Sequence, residues 1–167
     1  MTAHAAVSPT RPSDCSAGTS GFATCALHGG HQAAGVARHF TRSTLQSWGM
    51  AALADDVETI VSEMLSNAIR HGLPCPEQLP SAPRLVGLGL LRRGATVLCA
   101  VSDPSTDVPV VLERTRSAAS GRGLHIIDAL SESWGWTPPG RRGKTVWATV
   151  SAYAPGRTTR RAVPPCE

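Results

Sequence analysis

The segment SEMLSNAIRHG, Ser62 to Gly72, brings a carboxylate, an amide, a guanidinium and an imidazole into one short stretch as Glu63, Asn67, Arg70 and His71. On a helix, Glu63, Asn67 and Arg70 fall within an arc of about 60°, with His71 at its margin and an apolar stripe opposite. Glu63 and Asn67 are then neighbours one turn apart, about 6 Å along the axis. A carboxylate can take a proton and an amide oxygen can meet a cation, so the pair has chemical reach. Taken alone, the same pattern is also that of a solvated helix face. Asn is a poor helix-interior residue, however, and its place beside a carboxylate asks for an explanation.

Other polar positions are weaker by themselves. Asp103 closes an apolar run before Pro104, as a carboxylate at a strand end or as a plain turn former. Gly121, Arg122 and Gly123 precede an apolar helical stretch, and Thr145 follows Gly143 and Lys144 at the start of an alternating one. In CALHGGH, Cys25, His28 and His31 recur every three residues, but a second ligand pair is missing, so a strand running into a Gly-rich turn is preferred to a metal site.

The elements that must carry these residues follow from periodicity. Phe22 to Leu27 reads as a short strand, and HQAAGVARHFTRSTLQSWGM as a helix ending at Gly49. A second helix starts near Leu53, where Asp55, Asp56 and Glu58 suit the positive end of the dipole, and runs to Gly72 as its stop residue. Val57, Ile60, Val61, Met64, Leu65, Ala68 and Ile69 form its apolar stripe. RLVGLGLLRRGATVLCAVSD is two apolar runs around a turn, hence a hairpin. GRGLHIIDAL opens a third helix, and SESWGWT with KTVWATVSAY forms a second hairpin. Between them, residues 104–120 are long, polar and irregular. This order predicts an α+β two-layer sandwich, with helices on one face of a mixed, mainly antiparallel sheet.

The bulk properties narrow the class. At 167 residues, with 41% hydrophobic and 17% charged residues, one globular core is expected. Residues 1–20 are a low-complexity tail, 21–153 the domain, and 154–167 a basic tail, both tails expected to be disordered. No apolar run spans a bilayer and no signal-peptide pattern is present, so a cytoplasmic location without membrane contact is expected. Five scattered cysteines read as reduced thiols. The net charge of +4 reflects scattered arginines and a solvated tail rather than a nucleic-acid surface, so no direct nucleic-acid contact is expected.

Four blocks, SEMLSNAIRHG, VSDPSTDVPV, SGRGLHIIDALSESWGW and GKTVWATV, stand in the order and spacing of the ATP-binding fold shared by gyrase, histidine kinases, heat-shock chaperone and MutL proteins. More narrowly, the chain resembles the small anti-sigma-factor serine kinases and related actinobacterial regulatory ATP-binding proteins, over roughly residues 30–150. The resemblance implies a Bergerat-type ATP-binding fold with ATP and Mg as cofactors. It implies Glu63 as the carboxylate that activates the attacking hydroxyl or water, and Asn67 as the Mg ligand through its amide oxygen. Asp103 matches the aspartate that accepts from the adenine amino group. Gly121 and Gly123 match the glycines that let backbone approach phosphates, with Arg122 between them, and Thr145 matches a threonine of the adenine region. Arg70 and His71 receive no role.

One departure stands out: the superfamily has glycines after the aspartate, whereas this chain reads DPSTDVP, which is closer to the actinobacterial regulators. The stretch over 104–120, with Arg114 and Arg116, would be the lid. The implied function is a Mg-dependent serine kinase acting on an anti-anti-sigma-like protein, with a sigma factor as the regulated partner; related kinases often pair as homodimers. The alternative is a nucleotide- or partner-binding switch without transfer. A sensor-kinase ATP-binding half is a third reading, against which stands the lack of a phosphoacceptor-helix module upstream.

Overall fold

The computed structural model describes residues 15–17, 21–73, 84–107, 122–137, 140 and 143–152. Helix α1, Ala33–Ser47, buries Ala33, Ala37, Phe40, Thr41, Thr44 and Leu45, the face its spacing predicts. Gly49, at φ 71, ends it in the left-handed region. There the N–H groups of Gly49 and Met50 donate to Gln46 O (3.0 Å) and Leu45 O (2.8 Å), so the last carbonyls are satisfied by a Schellman motif.

A 3-10 turn at Ala51–Leu53 leads into α2, Ala54–Asn67, with Asp55 and Asp56 in its first turn. Its stripe of Val57, Ile60, Val61, Met64 and Leu65 is buried. Beyond Asn67 the chain widens into a π turn, Ala68–Gly72. Helix α3 spans Arg122–Leu130 and buries Leu124 and Ile127.

Among the described residues, six strands form one sheet: β1 (Cys15–Ala17), β2 (Phe22–His28), β3 (Leu85–Arg93), β4 (Thr96–Asp103), β5 (Ser133–Trp136) and β6 (Lys144–Ser151). Their order is β1-β2-β3-β4-β6-β5, and every ladder described is antiparallel. The α+β sandwich, with helices against a mainly antiparallel sheet, therefore stands. Gly94, at φ 61, makes the tight β3–β4 connection.

Alternation decides which residues face the helices. Ala23, Cys25 and Leu27 of β2, Val86, Leu88 and Leu90 of β3, Val97, Cys99 and Val101 of β4, and Ala148 and Val150 of β6 form one buried layer with the helix stripes. On β5, Trp134 is buried in the same layer; its ring lies 6.1 Å from that of Trp136, and its Nε1–H donates to Asp128 Oδ1 of α3 at 2.9 Å.

Two expectations change. Strand β1 lies inside the stretch read as a tail and adds an edge to the sheet. Cys25 is disulfide-bonded rather than a reduced thiol, and Cys15 stands across from it in the β1–β2 register. Cys25 points into the core while His28 falls on the exposed side of β2, so the strand pleat splits that candidate metal cluster; among the described residues no group of three His, Cys, Asp or Glu could hold a metal. No helix among them is long and apolar enough to cross a membrane.

Candidate functional site

Glu63 and Asn67 lie on the half-buried flank of α2, away from the core stripe. Helix α3 meets them with its first turn. A Cβ built on Gly123 would sit 2.8 Å from Glu63 Oε2, 3.4 Å from Asn67 Nδ2 and 3.6 Å from Asn67 Oδ1. Bare backbone at the start of α3 thus lies against the carboxylate and the amide together. The N–H groups of a helix start have no intrahelical partners, and they carry the positive end of the dipole. An anion would be favoured beside them. Arg122, the first residue of α3, is exposed, and Gly121 lies outside the described residues, as do Arg114 and Arg116.

A second polar centre lies where the π turn meets the end of β4. Asp103 ends β4 on the helix-facing side, with its side chain 3% exposed. A Cβ on Gly72 would fall 2.5 Å from Asp103 Oδ1 and 2.8 Å from its Cβ. Gly72 is not among the glycines with positive φ. Its place at the helix end is therefore required by the close approach of Asp103 and not by a left-handed stop. The widened π turn carries the chain from Asn67 to this contact, and it leaves Arg70 and His71 exposed.

Asp103 Oδ1 accepts from the backbone N–H of Ser105 and from Lys144 Nζ, each at 2.9 Å. Lys144 is itself buried, its side chain 8% exposed, and it stands directly opposite Asp103 in the β4–β6 register. Gly143, at φ 90, packs on the backbone of Asp103 and Pro104 so closely that no Cβ would fit. Its left-handed backbone aims the chain into β6 with Lys144 on the inner face.

Thr145 is not brought to this group. Opposed residues of an antiparallel ladder share a face, and Thr145 opposes Ser102. The two hydroxyls pair at 2.7 Å on the side of the sheet away from α2. The residue on the Asp103 face is Lys144, which sequence reasoning did not single out. Its signal was present in the pleat: Lys144, Val146, Ala148 and Val150 alternate with Thr145, Trp147 and Thr149, and the apolar set marks the inner face.

The described residues thus place Glu63, Asn67 and Gly123 in one group and Gly72, Asp103, Gly143 and Lys144 in another, linked along α2 and its π turn. The first group suits an anion beside a proton acceptor, and the second sets a hydrogen-bond donor beside an acceptor. Among curated proteins, none matches the chain. The family model described as the histidine kinase-like ATPase domain matches residues 31–150, from just before α1 through nearly all of β6. Since that match takes in the helices and strands bearing both polar groups, the chain belongs to the histidine kinase-like ATPase domain family.

Proposed function

We propose that the domain binds ATP with Mg and transfers the terminal phosphoryl group to a serine of a small anti-anti-sigma-like protein, thereby controlling sequestration of a sigma factor. ATP is the ligand that membership of this family supports. The observation that carries the site assignment is the packing of Gly123 against Glu63 and Asn67, with a built Cβ only 2.8 Å from Glu63 Oε2. It leaves a cradle of bare backbone at a helix start, suited to phosphates, beside an acceptor for a proton.

Asn67 offers an amide oxygen at this cradle. A hard cation that takes oxygen ligands and keeps several waters fits such a donor, and Mg would there offset charge on the phosphates. Asp103 would accept from the adenine amino group at the other end. In the transfer step the partner's serine Oγ bonds to the terminal phosphorus and the bond to the bridging oxygen of ADP breaks. Glu63 takes the hydroxyl proton as the new bond forms.

A switch that holds nucleotide or partner without transfer is the second reading, favoured by the absence of glycines from DPSTDVP after Asp103. Incubation with labelled ATP, Mg and candidate partner proteins separates the two. Transfer to a partner serine, reduced roughly a hundredfold or more in Glu63→Gln with ATP binding kept, is the expected result. Equal labelling by Glu63→Gln would remove Glu63 as the base. Tight ATP binding without transfer would favour the switch.

A further inference from the structure

We propose that Lys144 reads the nucleobase jointly with Asp103, and that the pocket in consequence accepts guanine nucleotides alongside adenine nucleotides. This rests on Asp103 being the base-reading group of the ATP site. A lone carboxylate offers only acceptors, so it suits the amino group of adenine and repels the carbonyl oxygen that guanine carries in its place. Here an ammonium is held 2.9 Å from Asp103 Oδ1, with both side chains buried. The pair presents a donor beside an acceptor at the end of the β4–β6 ladder.

The pairing is imposed by the fold. Lys144 opposes Asp103 in the β4–β6 ladder, Gly143 fixes the chain entering β6, and the Ser105 N–H and Gly72 fix the carboxylate. An ammonium carries three donors, and a buried one is costly unless they are met. Among the described residues, Asp103 Oδ1 is the acceptor that Lys144 Nζ meets. Its other donors would take an acceptor from a bound base.

Both purine edges supply one. Adenine presents its amino donor next to the N1 acceptor, and guanine its O6 acceptor next to the N1–H donor. Each is an adjacent donor and acceptor, and the Lys144–Asp103 pair complements either one in opposite order. The flexible stem of lysine permits the exchange, since its ammonium is a compact point charge with rotatable donors.

Calorimetric titration of the full chain with ATP, GTP and ITP in the presence of Mg tests this. The wild-type chain is expected to bind ATP and GTP within about tenfold of one another, with ITP following GTP because it keeps O6 and N1–H. Lys144→Met is expected to widen the ratio by about tenfold or more towards ATP, chiefly through loss of GTP and ITP. Lys144→Arg, which keeps a cation opposite Asp103, is expected to stay closer to wild type than Lys144→Met. A wild-type preference for ATP beyond about a hundredfold overturns the proposal and needs no variant to fold. An unchanged ratio in a Lys144→Met chain that keeps its circular dichroism overturns it equally. Failure of the wild type to bind any of the three overturns the ATP reading beneath it.

Discussion

A methyl group added at Gly123 meets the free end of the Glu63 side chain, whereas one added at Gly72 meets Asp103, whose carboxylate is already tied to Lys144 and the Ser105 N–H. A flexible carboxylate can swing aside, and Ala is the better helix former. Gly123→Ala is therefore expected to fold with an unchanged or slightly raised unfolding midpoint. It should still weaken phosphoryl transfer by about ten- to a hundredfold, because the Glu63 carboxylate is displaced. Gly72→Ala should show the reverse emphasis, losing about 1–3 kcal/mol of stability in denaturant titration because a strand-anchored side chain cannot yield. A separate residue sets a pH dependence. Burial pushes the Cys99 thiol from its ordinary 9.0 up to about 12. Between those values the unfolded chain loses a proton that the folded chain retains, so this group makes stability fall as pH rises through 9. The slope approaches about 1.4 kcal/mol per pH unit. Chemical denaturation from pH 8 to 11 should show a steeper decline in the native chain than in Cys99→Ala.

At the scale of elements, the start of α3 is held in place from its far end. Trp134, 2% exposed on β5, donates its indole N–H to Asp128 Oδ1, and this bond joins the helix to the sheet. Asp128→Ala strands a buried donor and is expected to cost about 1–3 kcal/mol in denaturant midpoint analysis. The helix start would loosen with it, so ATP affinity should fall as well although Asp128 is not part of either polar group. Which elements are legible in the sequence follows from how much periodicity each carries. The α2 stripe from Val57 to Leu65 is unambiguous, because its apolar residues recur over several turns. The widening of the last turn into a π form is not, since it leaves the residue types unchanged and depends on where Gly72 meets Asp103. Strand β1, only CSA, has too few residues for any period and is defined by its ladder to β2. Thr145 illustrates a different loss: a motif match locates a strand to within a residue, but in a pleated strand one residue is the difference between the two faces of the sheet.

Across the whole molecule, the strand order separates what holds the sheet together from what builds the site. The β4–β6 pair carries Asp103 and Lys144, while β1 forms an edge, with β2 and β3 between. At a spacing of about 4.8 Å per strand, β1 lies roughly 14 Å from β4. Cys25 lies on β2, next to that edge and two strands from β4, so its disulfide stands about 10 Å to the side of the strand that carries Asp103. Such a bond acts mainly by restricting the unfolded chain, and its loss commonly costs about 2–4 kcal/mol. Peptide mapping should find Cys25 protected from alkylation in the denatured chain until a reductant is added. Reduction, or Cys25→Ser, should lower the unfolding midpoint while leaving the ATP dissociation constant unchanged at temperatures well below that midpoint. A loss of ATP binding in the folded, reduced chain would show instead that the β1 edge and the site are coupled through β2 and β3. Cytoplasmic reductants act against such a bond. In that compartment the reduced chain would be the working form, and its nucleotide site would depend only on the α2, α3, β4 and β6 packing.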